Sequence, residues 1–554
     1  MKKALGVVES ILGGAAGIWD GVRIDLDDSR PYSSLFVHLC IGRVEAEFAQ
    51  PPIYTDAQEE ILRDEDAEEA DAITIVLSRV SSPASRTNTY TNSPQSHSAT
   101  TLAGEPPSND SKEDVHKYAT TAASLLCLVV ALGSAMPTGD LPGAAETLHV
   151  SDEAIYLSIT LFVAGFGIGP LIFAPLSEVV GRRPIYAVSM IFYFLFTLPS
   201  CLAKNIATML AGRMIAGLAS SAPFTNVGGT IADVWDTKDR GLPMAMFSST
   251  LFMGPCLGPL FGGWIAERTH TWRWIYWVLF IFVGAAMVLC VFTPETLAPV
   301  LLRKKANKLN KKYQSQLYVS EHDLNRLPFS ETLKNAMVRP IILMFCEPII
   351  ILFTFYLSFV YALLYATFFA FPIAFEEIRG WSMGLTGVTF VSIIIGIAIA
   401  NCLMPIQERL YRQHSEKYGP APEARLYPMM LGALVLPVAL FILAFTSYPG
   451  IIWVGPCISG ILFGFSMVII YISGNSYVVD SYANVAASAI SAKNMTRSLI
   501  GASVPLWITQ LFHNLGFQYG GLLLALVSVV IIAIPYYFYY KGASVRKRSK
   551  RTVQ

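Results

Sequence analysis

Beyond residue 117, apolar runs of roughly 20 residues alternate with short polar breaks. A helix of about that length crosses the hydrocarbon core of a bilayer, so each run predicts one membrane-spanning helix. The predicted spans are 118–137, 154–176, 184–203, 207–229, 241–265, 273–292, 341–364, 384–404, 425–446, 450–472, 485–511 and 518–540. The longest polar break, 297–338, divides these twelve spans into six and six. The pattern therefore predicts an all-α, multi-pass membrane protein with two six-helix bundles, 116–296 and 339–541.

The first 115 residues differ in kind from the rest of the chain. They contain an acidic run, 64–71, and a run rich in Ser, Thr, Asn and Pro, 81–111. Such segments cannot bury enough apolar surface to offset the entropy of ordering the chain. We therefore predict a largely disordered tail over 1–115. Because Glu9 interrupts the apolar run near the start and no clean cleavage site follows, we do not expect a removed signal peptide.

Basic residues predict the orientation of the spans, because Lys and Arg accumulate on the cytoplasmic side. Arg182 and Arg183 follow the second span, basic clusters lie in the central break, and another cluster occupies the C-terminal segment 542–554. The break after the first span, 140–153, has acids and no Lys or Arg. We therefore expect the N-terminal tail, the central loop 297–338 and the basic C-terminal tail to be cytoplasmic, in a plasma-membrane protein.

Composition excludes several classes of function. The chain is 53% hydrophobic and only 14% charged, which is too apolar for a soluble enzyme of 554 residues. Basic and acidic residues number 40 each, so the net charge does not indicate a nucleic-acid partner. Most cysteines lie singly in apolar runs, so we expect no disulfide framework, no metal site and no cofactor.

The sequence also lacks the usual signals of ATP-driven pumps and hydrolases. It has no Gly-rich loop ending in Gly-Lys-Ser/Thr, no His-Glu-x-x-His and no Gly-x-Ser-x-Gly. Six spans followed by six more, with a basic connector, are typical of a secondary transporter built from repeats. We therefore predict a transporter and not an enzyme. We expect this transporter to function as a monomer.

One apolar span contains an unusual glycine pattern. Gly254, Gly258 and Gly262 recur every four residues, so a helix would place them on one face, where a neighbouring backbone can approach closely. Pro255 and Pro259 remove amide donors inside the same helix and predict a bend. A generic packing face of small residues is the alternative explanation.

Several motifs, taken together, resemble the major facilitator superfamily and its fungal twelve-helix drug:proton antiporters. Residues 170–184 resemble the superfamily's loop between helices two and three, residues 213–217 resemble its helix-four motif, and residues 254–263 resemble its antiporter motif. Residues 294–296, 345–348 and 422–426 resemble motifs of the fungal type. The resemblance covers about residues 115–545 and implies export of drugs, toxins or secondary metabolites in exchange for protons. It assigns the antiporter motif to Gly254, Gly258, Pro259, Gly262 and Gly263.

The loop between the second and third spans predicts a charge latch. Glu178, Gly181, Arg182 and Arg183 join two helices by a short turn, and Asp233 ends the fourth span on the same side. The arginines are positioned to pair with Asp233 in one conformation and to release it in another. Charge that only orients the protein in the membrane is the alternative. Ala174, Glu178 and Val179 depart from the superfamily pattern of this loop.

Two charged residues are candidates for proton coupling. Arg213 lies inside the fourth span, where an arginine is costly unless it faces a partner or water, and the resemblance implies a proton-coupling role for it. Glu347 is the most central acid of the seventh span. The alternatives are an arginine that reaches the outer surface and an acid that braces Pro348 or a neighbouring helix. Asp480 and Arg497 are interpreted as structural charges.

The candidate substrate pocket is lined by aromatic and amide side chains. Tyr361, Tyr365 and Phe369 recur every four residues, and Asn226 and Asn475 are polar groups within spans or at their ends. An aromatic helix face can hold a flat apolar molecule, although packing is the more common role of such a face and helix tying that of the amides. Few acids are available for a polyamine, which favours neutral or weakly charged organic compounds.

The sequence thus predicts a proton-driven exporter whose partners are a small organic molecule, protons and the lipid bilayer. A polyamine or nutrient carrier is the alternative within transport. A membrane sensor that keeps the fold without transporting is the alternative from another class.

Overall fold

Helices make up nearly all of the chain that the computed structural model describes. The described residues are 73–75, 109–235, 241–313, 318–320, 329–418, 422–482, 485–547 and 549, and all lie in one unit, Glu65–Gln554. The predicted disordered tail, 1–115, lies mostly outside them. Below, residues 109–313 are called the N-terminal half and residues 329–549 the C-terminal half.

The helices follow the predicted apolar runs closely. Those of the N-terminal half are α1 (Asn109–Ala135), α2 (Leu141–Leu148), α3 (Asp152–Ile168), α4 (Pro170–Val180), α5 (Arg182–Cys201), α6 (Ile206–Val234), α7 (Gly241–Thr269), α8 (Arg273–Phe292) and α9 (Ala298–Tyr313). Those of the C-terminal half are α10 (Phe329–Cys346), α11 (Pro348–Pro372), α12 (Met383–Thr389), α13 (Val391–Tyr418), α14 (Tyr427–Thr446), α15 (Val454–Ser481), α16 (Ala486–Ser503), α17 (Ile508–Leu515), α18 (Phe517–Ile531) and α19 (Ala533–Arg546). A turn of 3-10 helix, Met136–Asp140, connects α1 to α2.

Local sequence explains where several helices begin. The side chains of Ser151, Asn205 and Ser382 accept hydrogen bonds from backbone N–H groups in the first turns of α3, α6 and α12, which satisfies donors that a helix start leaves open. Proline is well suited to the first turn of a helix, where no intrahelical N–H bond is lost. Accordingly, α4 begins at Pro170 and α11 at Pro348, so two predicted spans are each divided into two helices.

Within the described residues, nine helical stretches are long and apolar enough to cross a membrane. The three other predicted spans correspond to α6, α7 and α16, which are present as helices but are not among these nine. Much of α6 is buried, including polar residues such as Arg213 and Asn226, and α16 buries Lys493 and Arg497. The twelve-span arrangement therefore remains a prediction.

Large apolar side chains cover the outward surface of the helices. Phe292, Phe345, Ile452 and Val530 are each more than 60% exposed, which is the expected arrangement where lipid replaces water around a helix surface. The described part of the protein is therefore a multi-pass membrane protein by length, composition and the placement of its apolar side chains.

Within the described residues, the most extensive contacts between the two halves involve three sets of helices. Helix α7 packs on α12 and α13, α3 packs on α16, and α4 packs on α10. A small sheet joins a segment before the N-terminal half to the segment between the halves. Its strand β1 (Ile73–Ile75) pairs antiparallel with β2 (Tyr318–Ser320). The strand β1 lies within the predicted tail, in a segment for which the sequence left open whether it is ordered, and α9 lies within the predicted central loop.

Candidate functional site

Arg182 is the centre of a polar cluster at one end of the N-terminal half. Its Nε lies 3.2 Å from Asp233 Oδ2 at the end of α6, its Nη1 donates to Ser177 Oγ of α4 at 2.7 Å, and its backbone N donates to Glu295 Oε1 at 2.9 Å. Glu295 follows α8. The single side chain and its amide therefore connect α4, α5, α6 and the segment after α8.

The other residues of the predicted latch take different positions. Gly181 adopts φ = 115°, and an added Cβ would collide with the Glu295 carboxylate, so the turn between α4 and α5 requires glycine. Arg183 is directed away from Asp233: its backbone N donates to Glu295 at 3.3 Å and its Nη2 to Val291 O at 2.9 Å. Among the described residues, Glu178 adds no hydrogen bond or ion pair to the cluster.

Asn226 joins this cluster and lies apart from the candidate pocket residues. Its Oδ1 lies 2.9 Å from Ser177 Oγ, the same hydroxyl that Arg182 contacts. The contact connects α4 to α6, which is the helix-tying role considered from the sequence. The contact of Glu295 with Arg182 and Arg183 was not predicted. Its position directly after an apolar span indicated that this acid could reach the turn that contains the two arginines.

The C-terminal half contains a similar cluster. Arg425, just before α14, pairs with Asp480 near the end of α15 and with Glu408 of α13, each at 3.0 Å. Arg546 of α19 pairs with Glu423 at 2.8 Å. Arg182 and Arg425 thus each connect a turn between helices to an acid near the end of a long helix, as repeated halves would require. Asp480 has an ion-pair partner here.

Glu347 occupies the break between α10 and α11 and is 6% exposed. Its Oε2 accepts hydrogen bonds from Tyr482 Oη at 2.9 Å and from Ser549 Oγ at 2.8 Å. The sequence placed Glu347 within a continuous span, but Pro348 starts a new helix at this point. The carboxylate therefore links three places in the C-terminal half: the break itself, the residue after α15 and the segment after α19.

Arg213 is buried on α6, with 2% of its surface exposed. Its Nε donates to Ser158 O at 3.2 Å and its Nη1 to Gly133 O at 3.0 Å, while its guanidinium lies 4.1 Å from the centre of the Phe162 ring. Its Nη2 is buried without a hydrogen-bond partner in the described part of the chain. Arg213 is therefore held in the interior by backbone carbonyls and an aromatic ring.

Some candidate pocket residues come together around two unexpected cations. The hydroxyl oxygens of Tyr361 and Tyr365 are 3.4 Å apart, and the Arg497 guanidinium lies 4.2 Å from the centre of the Tyr361 ring. Lys493 contacts Asn475 through its Nζ and the amide oxygen. Because 493 and 497 are four residues apart, one face of α16 carries both cations, a signal that the sequence contained.

Phe369 lies farther along α11, where its ring meets Tyr156 of α3 at 5.2 Å between centres. This contact connects the C-terminal half to the N-terminal half. It is an aromatic packing contact, which was the more common role expected for such a residue.

The glycines of α7 allow close contact with helices on two sides. A Cβ added at Gly254 would lie 2.5 Å from Ala131 Cβ, and one at Gly258 would lie 2.7 Å from the backbone of Ala135. Gly262 faces the backbone of Met136. These three positions pack on α1 and the turn after it, so their spacing serves one helix contact.

The opposite neighbour of α7 is the start of α12, in the other half. Gly263 faces Met383, and a Cβ added at Gly387 would lie 2.6 Å from Pro259 O. Glu267 Oε2 also accepts a hydrogen bond from the backbone N of Gly384 at 2.7 Å. Helix α7 continues through both of its internal prolines, and its glycine-rich face is thus a direct contact between the two halves.

Membrane-length helices with buried charges and repeated ion-pair clusters are typical of a multi-pass membrane transporter. Residues 123–505 match the family model of the Major Facilitator Superfamily. The chain therefore belongs to that superfamily, which confirms the resemblance seen in the sequence.

Individual relatives agree with this assignment. The MFS-type transporter paaT of Penicillium rubens is 43% identical, over 78% of this chain and 79% of the relative. The multidrug transporter TPO3 of Candida glabrata is 39% identical, over 78% and 69%. The crystal structure of the human organic anion transporter MFSD10 (TETRAN) shares the fold, with a TM-score of 0.52 and 14% identity, over 78% of this chain and all of that chain.

Proposed function

We propose that this protein is a secondary active transporter that exports small organic compounds from the cell in exchange for protons, across the plasma membrane. In the proposed arrangement, twelve spans form two six-helix bundles, 116–296 and 339–541, and move relative to each other around a central site. The names of the relatives, among them a multidrug transporter, support export of foreign or secondary compounds.

The observation that carries the proposal is the contact of α7, in the N-terminal half, with the start of α12 in the C-terminal half. Helix α7 begins shortly after α6 ends near Arg182 and Asp233, and Gly263 lies about 30 Å farther along its axis. In the proposed cycle, the contacts of Gly263 and Glu267 with Met383 and Gly384 close the end of the molecule that lies away from the Arg182 cluster. Alternating access requires that these contacts separate when the protein opens on that side.

Glu347 is our proposed proton-binding group in the C-terminal half, and Arg213 our proposed coupling residue in the N-terminal half. An ionised carboxylate only accepts hydrogen bonds, whereas a protonated one must also donate. Proton uptake at Glu347 would therefore change its contacts with Tyr482 and Ser549. Tyr482 directly follows α15, and Tyr471 and Asn475 of α15 contact Lys493. A changed hydrogen bond between Glu347 and Tyr482 would therefore act on the end of a helix that contacts a buried cation.

The test is accumulation of labelled cytotoxic compounds and polyamines in efflux-deficient cells. We expect wild-type protein to lower accumulation of at least one compound, and both a protonophore and Glu347→Gln to restore most of it. Glu347→Gln removes the titrating group but keeps the size and one acceptor of the side chain. The matched control is Glu146→Gln, at an exposed acid of α2, which should export as the wild type does.

The outcomes of this test separate the candidate functions. Export that continues with the protonophore present would contradict proton coupling. Export limited to polyamines would favour the polyamine carrier. If the wild type reaches the cell surface and changes the accumulation of no compound, broad export is wrong and a narrow carrier or a sensor explains the fold better.

A further inference from the structure

Two cations in the interior of the C-terminal half have no charged partner among the described residues. Lys493 and Arg497 lie one turn apart on α16, and each is 1% exposed. No Asp or Glu within the described ranges forms an ion pair with either. In addition, Nε and Nη2 of Arg497 are buried without a hydrogen-bond partner.

Three other buried or half-buried arginines make more polar contacts than Arg497 does. Arg182 and Arg425 pair with carboxylates, and Arg213 donates to two backbone carbonyls. Burying a cation without a partner is costly, because the protein does not replace the water that solvated it. Arg497 is thus buried with two donors that no described group accepts, and these donors are available to an anion.

Aromatic rings from both halves surround the two cations. The Arg497 guanidinium lies 4.2 Å from the centre of the Tyr361 ring, 5.1 Å from Tyr471 and 5.2 Å from Phe224. The Lys493 ammonium lies 4.8 Å from the centre of the Tyr471 ring. Phe224 belongs to α6 in the N-terminal half, whereas Tyr361 and Tyr471 belong to the C-terminal half. The cluster thus lies where the halves meet, where alternating access would expose it to each side in turn.

We propose that Lys493 and Arg497 form the binding site for an organic anion that carries an aromatic ring, a carboxylate being the simplest case. Nε and Nη2 lie on the same edge of the guanidinium, and this edge can donate two parallel hydrogen bonds to one carboxylate. The ring of the ligand would pack against Tyr361, Tyr471 and Phe224. This inference rests on the proposed transport function and narrows its substrate class, from the neutral or weakly charged compounds that the sequence favoured to singly charged aromatic anions.

The surroundings of the cations favour an organic anion over an inorganic one. Chloride or phosphate would satisfy the charge but would leave the aromatic rings without a ligand surface to pack on. Asn475, which contacts Lys493, provides an amide that can orient a second polar group of the ligand. A site of this kind combines apolar walls with a few polar groups that fix orientation.

The test is binding of three matched probes to the full chain, purified and placed in lipid nanodiscs. The probes are labelled 2-naphthoate, 2-naphthamide and 2-naphthylmethylammonium, which share a ring system and differ in charge. Equilibrium dialysis should show that the wild type binds the naphthoate at least about tenfold more tightly than the amide, since one charge-assisted contact is worth at least that much. The ammonium should bind most weakly.

Variants of the two cations should change this selectivity. Arg497→Gln should weaken naphthoate binding about thirtyfold or more, the effect of removing one partner of a buried charge pair, and should leave naphthamide binding nearly unchanged. Arg497→Lys should retain part of the preference for the anion. Lys493→Gln should also weaken naphthoate binding. Lys204→Gln, at an exposed lysine between α5 and α6, is the control and should bind as the wild type does.

Unchanged naphthamide binding shows that a variant is folded, so loss of the anion alone identifies the role of the charge. The inference is wrong if the wild type binds naphthoate no more tightly than naphthamide, or if Arg497→Gln keeps the preference. Its failure differs from failure of the export proposal. Protonophore-sensitive export of other compounds without naphthoate binding overturns the anion site alone, whereas naphthoate binding without export of any compound overturns only export.

Discussion

Gly258→Ala should destabilise the protein and abolish most of its transport. The added Cβ would lie 2.7 Å from backbone atoms of both Ala135 and Met136 and 2.9 Å from Ala135 Cβ. Backbone atoms cannot move away as a flexible side chain can, so α7 and α1 would have to separate. We expect the free energy of unfolding to fall by about 1–3 kcal/mol, as for other overpacked contacts, and export to fall with it.

Gly228→Ala is the matched control for this substitution. Gly228 lies in α6, and a Cβ there would meet only a ring atom of Phe247, at 3.7 Å. Alanine is favoured over glycine in a helix by up to about 1 kcal/mol, so this variant should be as stable as the wild type or slightly more stable. Thermal unfolding of purified protein and export by cells measure both effects. Equal behaviour of the two variants would contradict the importance of the α1 contact.

Arg182→Gln should remove most transport while the protein still reaches the membrane. The substitution leaves Asp233 without its ion-pair partner and removes the contact with Ser177, although the backbone bond to Glu295 can remain. The side chains of the pair are 11% and 21% exposed, so water compensates part of the loss. We expect a cost of about 1.5–3 kcal/mol to the conformation in which the cluster is formed.

Arg183→Gln provides the comparison, because the neighbouring arginine is exposed and, within the described residues, its side chain donates one hydrogen bond, to Val291 O. Its export should fall much less than that of Arg182→Gln. Surface expression and initial export rates of the two variants, measured side by side, test the difference. If both variants lose export equally, simple positive charge at the membrane face explains the motif better than the Asp233 pair does.

The helices could be predicted from the sequence because apolar run length is imposed by the bilayer. The predicted span 273–292 coincides with α8, and the ends of most others lie within several residues of the observed helices. Five predicted spans are divided by internal breaks that were missed, after Ile168, Cys346, Thr389, Ser503 and Ile531. Two of these breaks, at Gly169 and Glu347, share a cause. Both precede a proline that starts a new helix, and hydropathy does not register such a break because the apolar run continues across it.

The candidate site was only partly predictable, because sequence gives the spacing along one helix but not the neighbours of that helix. The Arg182–Asp233 pair was anticipated from topology, since both residues end spans on the same side. Asn226 was a pocket candidate with helix tying as its more common role, and it contacts Ser177 in the charge cluster. Arg497 was interpreted as structural. Its spacing from Lys493 was visible, but the lack of an acidic partner appears only when the packed helices are known.

The central claim, proton exchange for an exported compound, is tested most directly in proteoliposomes that contain a trapped pH indicator. The compound with the strongest efflux in cells is added outside, and the internal pH is recorded as the compound enters. An antiporter releases protons outward as the compound moves inward, so we predict that the internal pH rises with wild-type protein and stays constant with Glu347→Gln. Entry of the compound without a pH change, or with a fall in internal pH, would contradict the account.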